Sequence, residues 1–258
     1  MDLMGRATNM AEKFGVGTKH ITNEGYEIEI VEKIDYNRRR IRFENGYEFT
    51  TNCSNINEGR IKNPYHPSVF GVGYLGGGDY RTNINNKDTL EYTVWHSMIK
   101  RCYSNKCQEK RPTYKGITVC EKWLNFQNFA KWYEDNYPKI HNVKFSLDKD
   151  LLQEVIENKI YSPTTCIFLP HNVNSFLANK QLNNTSGYVG VGWYKSSKKW
   201  VAKISLFGED KLKHLGYFST SESAYEVYKQ ARAIESEKVK SYLRSLNYLP
   251  EEIIQLVK

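Results

Sequence analysis

The chain has little of what builds extracellular or membrane folds. It carries five cysteines and seven prolines in 258 residues. An odd, scattered set of thiols excludes a disulfide-stapled scaffold. Cys102 and Cys107 have a C-x4-C spacing with no matching second pair, so zinc on Cys102, Cys107, Cys120 and Cys166 is not expected. Reduced, half-buried thiols are. No apolar run approaches the roughly 18 residues that cross a bilayer. Met1 to Arg6 lacks the uninterrupted apolar stretch of a signal peptide. The expectation is a cytosolic protein without a membrane partner. There is no internal repeat or low-complexity tract, and 40% hydrophobic with 14% aromatic residues excludes wholesale disorder.

What the chain does have is positive charge. The formal net charge of +8 suggests an acidic partner, usually nucleic acid. Residues 1–90 hold 12 basic and 12 acidic residues, residues 91–184 hold 13 and 9, and residues 185–258 hold 12 and 8. The excess therefore lies wholly in the last two thirds.

Alternating apolar and polar residues mark half-buried strands at Tyr26–Val31, Arg40–Phe43 and Tyr47–Thr50, with Asn45-Gly46 as a hairpin signal. They predict a small antiparallel β module within residues 1–63. Residues 64–89, with Gly71, Gly73, Gly76, Gly77 and Gly78, have no helical period and read as a linker or a loop laid over the next domain. No Gly-Lys-Ser/Thr follows, so a phosphate-binding loop is not expected.

Residues 90–180 begin with Val94, Trp95, Met98, Ile99 and Cys102 at helical spacing over Leu90–Tyr103. A second helix is predicted near Leu124–Tyr137, with Phe126, Phe129, Trp132 and Tyr133 as a core-facing aromatic stripe. Strands follow at Phe145–Asp150 and Cys166–Leu169, then a short helix opened by Pro170. In residues 185–258, strands are predicted at Tyr188–Tyr194, Trp200–Leu206 and Lys213–Phe218, with a basic turn at Lys195–Lys199. Ser219 and Glu222 have capping-box spacing. The helix beyond is predicted over Ser221 to about Leu246, burying Ala224, Val227, Tyr228, Ala231 and Ile234 on the sheet.

Gly190-Val191, Trp200-Val201-Ala202, Leu215-Gly216-Tyr217-Phe218 and Ala224 to Ala231, in that order, resemble the ethylene-response-factor (Apetala-two) DNA-binding domain over about 185–245. The resemblance implies that the sheet face opposite the helix enters the major groove of double-stranded DNA. That face would carry Val189, Gly192, Tyr194, Lys203, Ser205, Leu212 and His214. The plant pattern has arginines at several of these places, and this sequence does not. Lys195, Lys198, Lys199, Lys203 and Lys213 remain for phosphates, which position a protein without specifying sequence; otherwise they solvate a hairpin.

Residues Trp95 to Asn179 resemble a degenerate HNH nuclease module of the kind found in bacteriophage proteins. The match includes Trp95, Met98, Arg101-Cys102-Tyr103, Gly116–Cys120, Trp123, Phe126, Leu147–Asp150, Tyr161-Ser162-Pro163, Cys166, Asn172 and Asn174. The resemblance implies a ββα site with a divalent metal, Mg²⁺ or Mn²⁺, held by an acid and a helix residue. Asp148 falls at the acid, Asp150 is a second carboxylate, and Asn172 or Asn174 falls at the helix position, with Asn174 favoured. The base position holds Lys149, which as an ammonium accepts no proton; His171 is the substitute. The competing expectation is that Asp148, Lys149 and Asp150 form an exposed charged turn.

The expected fold class is α+β: a small N-terminal antiparallel β module, a central helix-rich HNH-like ββα module and a C-terminal three-stranded sheet with one packed helix. Three functions follow. One is a phage-type, metal-dependent DNA endonuclease of the homing kind. Another is a DNA-binding protein that keeps the nuclease scaffold without catalysis. The third is a non-enzymatic phage protein whose aromatic surfaces bind a host protein. Phage origin would place any of them in the bacterial cytoplasm.

Overall fold

In the computed structural model, residues 12–153, 159–178, 186–209 and 211–258 are described. The chain divides into two compact units, Met1–Arg111 with Glu121–Lys131, and Pro112–Cys120 with Trp132–Lys258. The fold is α+β. Among the described residues no helix is long and apolar enough to cross a membrane.

The first unit opens with a four-stranded antiparallel meander, β1 (Lys19–Ile21), β2 (Glu27–Lys33), β3 (Arg38–Phe43) and β4 (Glu48–Asn52), where the sequence predicts three strands. β1 is too short to show a period of its own. Ile28, Ile30, Ile41 and Phe43 alternate onto one face and form a core with Phe14, Cys53, Ile56 and Ile61, Cys53 and Ile56 coming from α1 (Cys53–Asn57). Arg39 is buried among them, its Nε donating to Phe14 O at 2.7 Å and its Nη1 to Asp35 O at 2.8 Å, so the charge keeps its hydrogen bonds.

The glycine-rich segment is packed rather than free. It leads to a hairpin of β5 (Asn83–Ile84) and β6 (Lys87–Asp88), then α2 (Leu90–Tyr103), α3 (Asn105–Lys110), α4 (Glu121–Leu124) and α5 (Phe126–Asn136), whose residues up to Lys131 belong to this unit. Tyr74 N–H donates to Leu124 O and Tyr74 O accepts from Phe126 N–H, each at 2.9 Å. A Cβ on Gly77 would stand 2.2 Å from the Tyr47 ring, so only glycine permits that approach. The helix predicted over 124–137 is broken at Asn125, whose Oδ1 accepts Gln127 N–H at 2.9 Å and starts α5 afresh. Trp95, Met98, Ile99 and Cys102 are buried as predicted, and Trp95 Nε1 donates to Trp123 O at 2.7 Å.

The second unit holds β7 (Thr118–Val119), β8 (Phe145–Asp148), β9 (Ile160–Tyr161), β10 (Ile167–Pro170) and α6 (His171–Leu177), then β11 (Val191–Tyr194), β12 (Lys199–Ser205), β13 (Leu212–Phe218), α7 (Ser221–Leu246) and α8 (Glu251–Ile254). β8 and β10 pair antiparallel, and β7 pairs β9 in parallel. β11-β12-β13 form an antiparallel meander.

The long helix serves two cores. Ala224 at its start packs with Val191 and Ala202 against the sheet, while Val239 and Leu243 pack with Leu169, Val173, Leu151, Ile254 and Val257. Ile234 corrects the predicted face, since it is 61% exposed while Glu235 and Ser236 are buried. The buried stripe rotates there because the helix passes from the sheet to the ββα core. The helix is capped by Thr220, whose Oγ1 accepts Ser223 N–H at 3.1 Å, rather than by Ser219. The expected boundary near 181–184 lies outside the described residues, but packing does not divide there, since residues beyond it complete the core under β10 and α6.

Candidate nucleic-acid interface and the ββα module

β8, β10 and α6 make a hairpin followed by a helix, with Asp148 opposite Ile167 in the register. Asp148 ends its strand because its side chain folds back on the chain. Oδ1 accepts the N–H of Asp150 at 3.0 Å and of Leu151 at 2.8 Å, which stops β8 two residues before the predicted end. The residue is 7% exposed, and burial pushes its carboxyl above the ordinary carboxylate range despite those two bonds.

Lys149 is buried beside it, which overturns the exposed charged turn for both residues. Its Nζ lies 2.7 Å from Asp150 Oδ1 and over the rings of Tyr114 (5.5 Å) and Tyr161 (5.9 Å). That geometry makes it an ion-pair partner of Asp150. Lys159 Nζ lies 2.6 Å from the same oxygen. Burial would raise the Asp150 carboxyl, but the hydrogen bonds from Lys149 and Lys159 outweigh it and hold it below the ordinary range. The expected second metal carboxylate is thus already neutralised by two ammonium groups. Gln153 closes the excursion, donating to Lys149 O at 2.7 Å and Ile160 O at 2.9 Å while accepting Ile160 N–H at 3.0 Å.

His171 comes near this strand. Its Nδ1 sits 3.0 Å from Ser146 Oγ, and Ser146 shares a face of β8 with Asp148 by strand alternation. Asn172 Oδ1 accepts the N–H of Val173 at 2.9 Å, a local bond at the helix start, and Asn174 is half-buried. Among the described residues, no three His, Cys, Asp or Glu side chains gather as a metal-holding group. Cys102 and Cys107 belong to the first unit, Cys120 and Cys166 to the second. Burial pushes the Cys166 thiol up to about 12.

The C-terminal sheet is different, because its outer face is open. β12 pairs Val201 with Tyr217, Lys203 with His214 and Ser205 with Leu212, while Tyr194 faces Lys199 across the first hairpin. Trp200, Ala202 and Phe218 turn the other way into the core with α7. Gly192, Tyr194, Lys203, Ser205, Leu212 and His214 therefore share the outer face, as the resemblance implies, and Val189 precedes β11. Lys213 does not join them. It pairs with buried Ile204, and its charge acts on Glu235 of α7, so it lies on the helix side.

Tyr217 belongs to the outer face although the resemblance does not assign it. Its ring lies 5.5 Å from that of Tyr194 and 4.6 Å from that of His214. The register shifts between Ala202 and Lys203, where Gly216 takes a φ of +142°, leaving Leu215 as an extra residue. Simple alternation from His214 would have put Phe218 outward; the bulge puts Tyr217 there instead. Lys195 and Lys198 lie in the turn between β11 and β12, and Lys198 holds a left-handed φ of +49°.

No protein-family model, curated protein or solved structure matches the chain.

Proposed function

We propose that the C-terminal sheet binds double-stranded DNA in its major groove and that the ββα module is a scaffold without hydrolytic activity. The observation that supports the first part is the charge of the sheet. Residues 186–208 contain Lys195, Lys198, Lys199 and Lys203 and no Asp or Glu. Two tyrosines, a leucine and a histidine share one open face with Lys199 and Lys203. Lysines gain affinity for a polyanion by releasing its counterions, and the open sheet face supplies a surface for base edges.

The scaffold reading rests on Asp148, Lys149 and Asp150, each of which is engaged in holding the β8–β10 excursion together. Hydrolysis would need Mg²⁺ or Mn²⁺ on Asp148 and a free base; Lys149 is committed to Asp150, and His171 is engaged with Ser146. The site of action is the cytoplasm, a bacterial one on the phage resemblance.

Duplex affinity measured across salt concentrations tests the binding. Affinity should fall steeply with salt, and Lys203→Ala or Lys199→Ala should weaken all sequences about equally and flatten the slope. Salt-insensitive or undetectable binding at low ionic strength would refute it. Plasmid incubated with Mg²⁺ or Mn²⁺ should stay intact. Nicking that EDTA and Asp148→Ala both abolish would replace the scaffold with an endonuclease.

A further inference from the structure

We propose that the open face of the β11–β13 sheet reads the 5-methyl group of pyrimidines in the major groove. The inference rests on the DNA-binding reading above and names what that face can distinguish.

Base edges are read by a small set of side chains. Arg and Lys suit guanine, Asn and Gln suit adenine, Asp and Glu accept from cytosine, and apolar groups meet the thymine methyl. None of the residues in the three strands is Arg, Asn, Gln, Asp or Glu. Of these readers, Lys199 and Lys203 stand on the outer face. For adenine and cytosine the outer face offers no amide or carboxylate, only the Ser205 hydroxyl and the His214 ring.

What the face does present is apolar surface. Tyr194 is 45% exposed, Tyr217 48% and Leu212 58%, with His214 against the Tyr217 ring. Tyr194 and Tyr217 stand ring against ring, and with Leu212 on the same sheet face they present exposed apolar surface of the kind that marks a binding face. The lysines around them select a polyanion over an apolar protein surface. On a polyanionic duplex the only apolar group displayed by the base edges is the pyrimidine 5-methyl, carried by thymine or by 5-methylcytosine. Covering one such methyl strengthens binding about four-fold.

Four duplex polymers separate the possibilities with the full chain: poly(dA-dT) against poly(dA-dU), and poly(dG-dC) against its 5-methylcytosine form. Tighter binding of the methylated member is expected, by about four-fold per methyl contacted. A difference in the first pair alone assigns thymine, and in both pairs any 5-methylpyrimidine. The difference should shrink in Leu212→Ala and Tyr217→Ala, whose exposed side chains leave the core intact. Lys203→Ala should weaken all four polymers and keep the difference. Equal binding within both pairs overturns the methyl reading and leaves DNA binding standing. Binding to none of the four overturns both. Tighter binding to single-stranded poly(dT) than to poly(dA-dT) would assign the rings to base stacking and overturn the methyl reading.

Discussion

Glu235, buried in the middle of α7, accepts the backbone N–H of Phe207 on Oε2 at 2.8 Å, tying the helix to the chain just beyond β12. Lys238 donates to its other oxygen at 2.6 Å. Burial alone would raise the Glu235 carboxyl; Lys238, the Phe207 N–H and the charge of Lys213 outweigh it and hold it below the ordinary range.

A carboxyl depressed in the folded state adds stability above its unfolded pKa of about 4.3, and that stability disappears as pH falls through the lower folded value. Glu235→Gln should therefore be less stable than the parent at pH 7, with the gap closing in acid. Glu235→Ala should lose about 1–3 kcal/mol at pH 7. Urea unfolding of the three proteins at neutral and acidic pH measures both effects.

Asp148 has the opposite sign. Its carboxyl is raised in the folded protein, so the parent should lose stability as pH climbs above the unfolded value of about 3.9. Asp148→Asn keeps an oxygen for the Asp150 and Leu151 N–H groups without the buried charge. It should match or exceed the parent at pH 7, whereas Asp148→Ala strands two donors and should cost about 1–3 kcal/mol. Thermal unfolding of the pair decides between a turn-forming acceptor and a residue whose charge matters.

Gly190 has a φ of +73°, and a Cβ there would lie 2.2 Å from the Tyr228 ring and 2.8 Å from Lys203 O. Gly190→Ala should destabilise the second unit by more than about 1 kcal/mol through both strain and collision. Near-ultraviolet circular dichroism should report loosened tyrosine packing.

Lys198 should separate stability from binding. Its left-handed conformation costs a residue with a Cβ about 1–2 kcal/mol, part of which glycine returns as chain entropy. Lys198→Gly should raise the melting temperature slightly while lowering duplex affinity and the salt slope. A loss of stability would mean that the turn depends on the lysine.

Ile234→Gln should leave stability within about 0.5 kcal/mol, because the side chain stands in solvent. Leu243→Ala should cost about 2–5 kcal/mol, since it empties a site in the core with Leu169 and Val173. Chemical denaturation of the two variants places the buried stripe of α7.

Periodicity made much of this fold legible. Trp95, Met98, Ile99 and Cys102 define α2, and the apolar runs from Val191 to Phe218 define a meander, because local spacing decides which side chains can share a face. Ile234 was illegible because a helix passing between two cores changes its buried stripe midway, and no single 3.6-residue pattern covers both. Tyr217 was hidden by the bulge at Leu215, which inverts alternation. At Asp148 the residue type was visible but not the backbone bonds by which it ends β8, because those depend on the path the chain takes after the strand.

The shared helix also sets an order of events. Leu169 and Val173 are covered by Val239, Leu243, Ile254 and Val257, which leave the ribosome later. At ordinary elongation rates the delay is on the order of ten seconds. Throughout that interval the apolar side of the β8–β10 hairpin is without its cover and open to chaperones. The nascent chain thus cannot finish this half from front to back, and any pause in translation before residue 239 prolongs the exposure.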